Sequence, residues 1–335
     1  MKRRRDLVER FADDEADLYD ISTWEPRSLL DRFSYGLYAA INYGLHGIVL
    51  LVAFVITISL LASPALIVAD QPILGVFFAL SVVPALLLAA FIWRSDITTS
   101  EPLGLLVATF LLAVLFATFA AVVNSVASFR LQAIPVVGSI LFFYLVVGPV
   151  EEAVKLLAVR VLAYRNASFD AVIDGAVYGA IAGLGFAAIE NVIYIAGTIA
   201  DVEAGFFAAA TGITTLRALV GPGHVIYSAI AGYYLGLAKF NPRYAGPLVV
   251  KGLLIAAFVH GTYNSTVGVV PSILSGLFPV GPELAFVGYV VAFDAAIGYY
   301  LYRKLSRYRR TYRAVRSHEE TDPAPELTEF DPARR

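Results

Sequence analysis

The chain is built around a succession of apolar runs, each about 20 residues long, the length at which an α-helix crosses the hydrocarbon core of a bilayer. Lipid offers no hydrogen bonds to the backbone. A spanning run must therefore satisfy its own N–H and C=O groups, which a helix does internally. The runs fall at about His46–Ala69, Ile73–Trp93, Pro102–Asn124, Gly138–Leu162, Phe169–Ala196, Pro222–Phe240, Pro247–Val270 and Pro282–Tyr302. The expected fold is all-α, a polytopic transmembrane helical bundle with about eight spans. Composition agrees. Of 335 residues, 59% are hydrophobic and only 16% charged, against roughly 25% charged in soluble domains.

Three regions follow. Residues 1–45 read as a cytoplasmic basic and amphipathic segment, with Leu29–Leu45, rich in Tyr and Phe, lying at the membrane surface. Residues 46–302 form the transmembrane helical domain. Residues 303–335 read as a cytoplasmic tail, first basic, then polar, Pro-containing and disordered. The apolar stretch Gly205–Val220 is short and interrupted by Gly212 and Arg217, so it reads as an interfacial or re-entrant piece. After Met1-Lys2-Arg3-Arg4-Arg5 a polar stretch follows, with no apolar h-region. The first span is therefore expected to act as an uncleaved signal anchor.

Lys and Arg set the expected orientation. Seven basic residues crowd the N-terminal segment, from Lys2 to Arg32, and seven more lie between Arg303 and Arg316. Arg94, Arg165, and Lys239 with Arg243 precede the third, fifth and seventh runs, while the opposite loops hold only Arg130 and Arg217. Both termini are expected in the cytoplasm, in a multi-pass protein of the cell membrane. The net charge of -2 gives no reason to expect a nucleic-acid partner. With no cysteine, disulfides, thiolate metal sites and a cysteine nucleophile are excluded.

The chemistry lies in polar residues where lipid should be, because a charge at the bilayer centre costs several kcal/mol. The fourth run contains Gly148-Pro149-Val150-Glu151-Glu152-Ala153-Val154-Lys155. Lys155 follows Glu151 by four residues and Glu152 by three, so it reaches either carboxylate along one helical face. Pro149 removes a backbone donor and frees a carbonyl one turn earlier, which predicts a kink beside the pair. The fifth run carries glycines at 175, 179 and 183, a small-residue face for close helix approach. Phe186, Glu190, Asn191 and Tyr194 lie beyond it. His224 opens the sixth run, and His260 and Asn264 lie four apart in the seventh. Taken singly, each has a plain structural reading: an ion pair locking helices, a packing stripe, an imidazole bonded between helices. Together, four successive spans bring carboxylates and imidazoles to one region without a Ser or Cys nucleophile, and that points to activation of water. His224, His260 and a carboxylate oxygen, from Glu190 or from Glu151 or Glu152, make three N/O ligands of the kind a catalytic zinc uses. None of the usual short ligand spacings is present, so a metal-free version stays open. There Glu151 or Glu152 acts alone as base, and His260 with Asn264 holds the oxyanion.

These residues carry a resemblance. EEAVK at 151–155, GFAAIEN at 185–191, GH at 223–224 with GYYLG at 232–236, and HGTYN at 260–264 together resemble the PrsW family of intramembrane proteases. SDITTSEPL at 95–103 is similar to that family's acidic-Pro entry to a span. The resemblance covers about residues 94–300. The family is related to the CAAX-processing and bacteriocin-processing proteases, in which a Glu activates water and a span carries Phe-x-x-x-His. Here Glu190 stands where that pattern has His, as in PrsW-like sequences, which are classed as metalloproteases. The resemblance implies an intramembrane endopeptidase that clips a single-pass membrane protein, such as an anti-sigma-type regulator in stress signalling. It implies Glu151 and Glu152 in catalysis, with His260 and His224 assisting; the reading of the residues themselves adds Asn264 to catalysis and Lys155, Glu190, Asn191 and Arg217 in support. His224, His260 and Glu190 are then the metal ligands, with zinc the metal if there is one. Two other classes compete: a proton-coupled transporter or channel, since Glu/His chains also relay protons, and a non-catalytic membrane scaffold of the same fold.

Overall fold

The computed structural model describes Asp17, residues 25–98, 100–135, 137–200, Val202 and residues 205–321. It comprises two compact units, residues 1–59 and 60–335. In the first, helix α1 (Leu29–Asp70) begins at a reciprocal cap. The Ser28 hydroxyl accepts the Asp31 N–H at 3.1 Å, and the Asp31 carboxylate accepts the Ser28 N–H at 2.8 Å. Leu29–Leu45, expected as an amphipathic segment at the membrane surface, is continuous with the apolar run that follows it. It is the start of one long helix, with no proline to break it before Pro64.

Helices are the second unit's regular structure among its described residues, joined by short connections. It contains α2 (Ile73–Arg94), α3 (Leu103–Leu131), α4 (Gly138–Phe142), a π-helical turn (Phe143–Val147), α5 (Gly148–Val161), α6 (Val172–Ile199), α7 (Phe206–Phe240), α8 (Ala245–Thr266), α9 (Val270–Leu277) and α10 (Pro282–Thr321). Exposed Leu87, Leu111, Leu145, Leu254 and Val291 clothe the outer faces, as lipid as solvent allows. Among the described residues, five helical segments are long and apolar enough to cross a membrane: Ile73–Arg94, Leu103–Leu131, Val172–Ile199, Pro242–Thr266 and Pro282–Arg316. That is fewer than the eight passes read from the sequence. The stretches 138–161 and 206–240 are less apolar for a physical reason: both carry charged and polar residues of the site, and the first is also broken by the π turn.

Two further expectations change. Gly205–Val220 is not a re-entrant piece, because Phe206–Phe240 is one continuous helix with Pro222 inside it. The charge that suggested an interruption, Arg217, is neutralised across the helix interface by Glu190 at 2.6 Å. At the other end, α10 runs on through the basic segment to Thr321. The tail beyond Thr321, like residues 1–16, lies outside the described residues.

The core is centred on α6 and α7, where Ile173, Val177, Tyr178, Val225, Ile230 and Leu235 are buried. These two helices meet along glycine. A Cβ built on Gly175 collides with the Gly232 carbonyl, one on Gly179 with that of Ser228, and one on Gly183 with that of His224. The partner number falls by four as the glycine number rises by four, so the helices are antiparallel and in van der Waals contact over two turns. The last of these contacts fixes His224. Gly183→Val is expected to force α7 away from α6 and lower stability by about 1–3 kcal/mol, the usual cost of overpacking. Thermal unfolding in detergent measures it; an unchanged midpoint contradicts the close approach.

Candidate active site

Pro149 shapes the local backbone first. It has no N–H to give to the preceding turn, and the chain before it widens into the π turn Phe143–Val147. Gly148 then lets α5 lie against α8, since a Cβ there meets the Ala257 carbonyl. The result presents Glu151 and Glu152 in the first turns of α5, both buried. The two sit about 100° apart around the helix and face different partners.

Glu152 is fully engaged. Its Oε1 accepts Lys155 Nζ at 2.7 Å and lies 2.9 Å from His260 Nδ1, and its Oε2 accepts the Ser228 hydroxyl at 3.1 Å. A carboxylate facing Nδ1 requires the proton there, so a neutral His260 imidazole keeps its Nε2 lone pair free. That Nε2 lies 3.7 Å from Glu151 Oε2. Glu151 is engaged on one side only. Its Oε1 accepts the Asn124 amide at 2.9 Å, while its Oε2 is buried with no hydrogen-bond partner among the described residues. A bare buried carboxylate oxygen is costly and calls for a ligand or a proton.

Lys155 is the central cation, with Glu152 at 2.7 Å, Glu151 at 3.9 Å, His224 Nδ1 at 3.0 Å and the Phe186 ring centroid at 4.3 Å. Glu190 does not join the carboxylate pair. Its Oε2 lies 2.6 Å from Arg217 Nη2 and 2.9 Å from His224 Nε2. Arg217 Nε also donates to Asn191 Oδ1 at 2.9 Å, and the Asn191 amide donates to the Ser81 carbonyl at 3.1 Å, tying α2, α6 and α7 together. Asn264 does not orient His260; Glu152 does. The Asn264 side chain lines a cavity of about 510 Å³ and makes no hydrogen bond among the described residues. Glu151, Glu190, Arg217, His224 and His260 line the same cavity.

The expected metal set changes with this geometry. The group with one donor atom each within 4.8 Å is Glu151, His224 and His260, with Glu151 in the place expected for Glu190. Arg217 already claims Glu190. The donors suit a divalent ion. Among the described residues Glu151 Oε2 has no hydrogen-bond partner, and His260 Nε2 accepts no hydrogen bond while a carboxylate braces Nδ1, the usual support of a ligating imidazole. His224 has both nitrogens in contact, with Lys155 and with Glu190, and would have to give up one of these to hold a metal.

Asn124, Ser228 and the Tyr227–Asp294 contact at 3.2 Å were not anticipated. Asn124 carried a signal, an amide at the end of an apolar run, but there it reads equally as the end of the span. A serine in a helix rich in small residues carries none.

Fold and site together define a helical membrane protein with a cluster of buried polar side chains lining a cavity among its helices. A family model described as PrsW family intramembrane metalloprotease matches residues 101–304. Protease PrsW of Bacillus subtilis (strain 168) is 33% identical over 128 residues, which cover 38% of this chain and 54% of that protein. The proteins of the same name from Halalkalibacterium halodurans and Oceanobacillus iheyensis are 27% and 30% identical over 186 and 185 residues. Each alignment covers 55% of this chain, and 80% and 79% of the respective relative. No solved structure gives a significant match. The chain belongs to the PrsW family of intramembrane metalloproteases, and it is a multi-pass membrane protein.

Proposed function

We propose that this protein is an endopeptidase of the cell membrane that hydrolyses a peptide bond in a single-pass membrane protein, with an anti-sigma-type regulator as the kind of target. The observation that carries the reading is Glu151 Oε2, a buried carboxylate oxygen of a cavity-lining residue with no hydrogen-bond partner among the described residues, 3.7 Å from His260 Nε2. Water held at that oxygen loses its proton to Glu151 while its oxygen bonds to the scissile carbonyl carbon. The C–N bond then breaks, and the same proton passes to the leaving amine. The Asn264 amide is free to donate to the oxyanion. Glu152 fixes the His260 imidazole, and Lys155 compensates the carboxylate pair.

Glu151, His224 and His260 are the residues that would hold a metal. Zinc there would supply Lewis-acid polarisation and a more acidic water. In the metal-dependent form, chelation removes activity and zinc restores it, with about one ion per chain. Full activity at negligible metal content rejects that form and leaves the glutamate chemistry standing.

Incubating the purified protein in liposomes with candidate single-pass membrane proteins tests the reading. Discrete cleavage supports it. A solute or proton flux without cleavage points to a transporter, and partner binding without cleavage to a scaffold. We also place both termini in the cytoplasm, from the Lys/Arg asymmetry. Reporter fusions are expected to report both ends inside; either end outside overturns that topology.

A further inference from the structure

Three carboxyls converge at the far end of α6 from Glu190. Asp96 and Glu101 lie in the connection between α2 and α3, and Asp174 in the first turn of α6. The helix from Asp174 to Glu190 is roughly 24 Å long at 1.5 Å per residue, so this cluster is separate from the active site. One oxygen from each lies within 4.8 Å of the others.

Each carboxyl is held in the same way, by donors to one oxygen. Thr98 gives its N–H at 2.9 Å and its hydroxyl at 2.7 Å to Asp96 Oδ1. The Tyr178 hydroxyl donates to Glu101 Oε2. The amides of Asp170 and Ala171 donate to Asp174 Oδ2 at 2.8 and 2.7 Å. The second oxygen of each, Asp96 Oδ2, Glu101 Oε1 and Asp174 Oδ1, is buried and has no hydrogen-bond partner among the described residues. Glu101 is 5% exposed and Asp174 0%. Lys239 lies within electrostatic reach, but its Nζ is spent on the carbonyls of Tyr164, Asn166 and Phe169 at 2.8, 3.3 and 2.6 Å. Two buried carboxyls and the half-buried Asp96, each anchored by one oxygen and with the other buried and without a hydrogen-bond partner among the described residues, are a costly arrangement unless something positive joins them.

We propose that Asp96, Glu101 and Asp174 form a second cation site, which takes a hard divalent ion of the Ca²⁺ or Mg²⁺ class and staples the α2–α3 connection to the start of α6. The donors are all oxygen, which selects hard cations over the softer metals that favour nitrogen and sulfur. The site braces the helix whose other end carries Glu190 and whose glycine face seats His224. It stands independently of the proposed protease chemistry.

The test uses the full chain in detergent with Glu151→Gln and His260→Ala, which dismantle the other donor cluster. Mn²⁺ binding, followed by electron paramagnetic resonance, is expected to saturate at about one ion per chain. Ca²⁺ or Mg²⁺ should compete and raise the unfolding temperature, and whichever competes more strongly is the preferred ion. Asp96→Asn, in the connecting segment, removes one ligand and is expected to weaken binding at least about tenfold. Tyr178→Phe keeps all three carboxyls but loses the support of Glu101, and is expected to weaken binding by about 10–100-fold. Absence of saturable binding overturns the proposal, as does binding that neither substitution alters. A stability that rises on acidification and ignores cations also overturns it, because the carboxyls are then held by shared protons.

Discussion

Glu151→Gln is expected to abolish cleavage and leave the helices in place. Gln has nearly the same shape, and its side-chain oxygen still accepts the Asn124 amide. It cannot take a proton from water, and loss of a positioned acid–base group typically costs about 10²–10⁴-fold. Stability should change little or rise, because Glu151 Oε2 is a buried charge without a hydrogen-bond partner. Cleavage rates beside thermal unfolding curves check both halves. Normal cleavage by this variant removes Glu151 from the chemistry, and a collapsed unfolding temperature makes its role structural.

Glu152→Gln is expected to act differently. Glu152 meets Lys155, His260 and Ser228 together. Removing its charge leaves the Lys155 ammonium buried with only Glu151, 3.9 Å away, as carboxylate partner. Breaking a buried pair in this way typically costs about 3–5 kcal/mol. Lys155→Met is expected to cost a similar amount, since it leaves adjacent carboxylates uncompensated. The double variant Glu152→Gln/Lys155→Met should regain much of that stability while staying inactive, because His260 has lost the carboxylate that orients it. Unfolding of the four proteins measures the coupling directly. Additive losses contradict the pairing.

The contrast between these neighbours shows where the sequence stops. That Glu151, Glu152, Lys155, Glu190, His224 and His260 gather in one buried cluster is legible, because ionisable residues inside apolar runs are costly and few. Which carboxylate does what is not. Adjacent residues differ only by a helical rotation, and the partners that divide their roles, Asn124 and Ser228, come from other helices. Arg217 shows the same limit. In the sequence it interrupts an apolar stretch and suggests a break. In the structure Glu190 and Asn191 of the neighbouring helix satisfy it, and α7 runs straight through. The stripe at Gly175, Gly179 and Gly183 was readable as a packing face, whereas its partner and antiparallel register belong to tertiary contact. The helical membrane fold was legible throughout. The span count was harder to read, because α5 and α7 carry charged and polar residues of the site within their apolar runs.

The central claim is that Glu151 directs water onto a peptide bond within the membrane. The most direct measurement is cleavage by purified protein in liposomes, in water enriched in ¹⁸O, of a single-pass substrate found by comparing new protein termini in cells carrying the wild type or Glu151→Gln. Mass spectrometry of the fragments reads both the site and the oxygen. The account predicts a single cut giving a new C-terminus that carries solvent ¹⁸O, absent with Glu151→Gln. Cleavage of equal rate and position by Glu151→Gln, or no wild-type cleavage of any membrane-anchored protein, contradicts it.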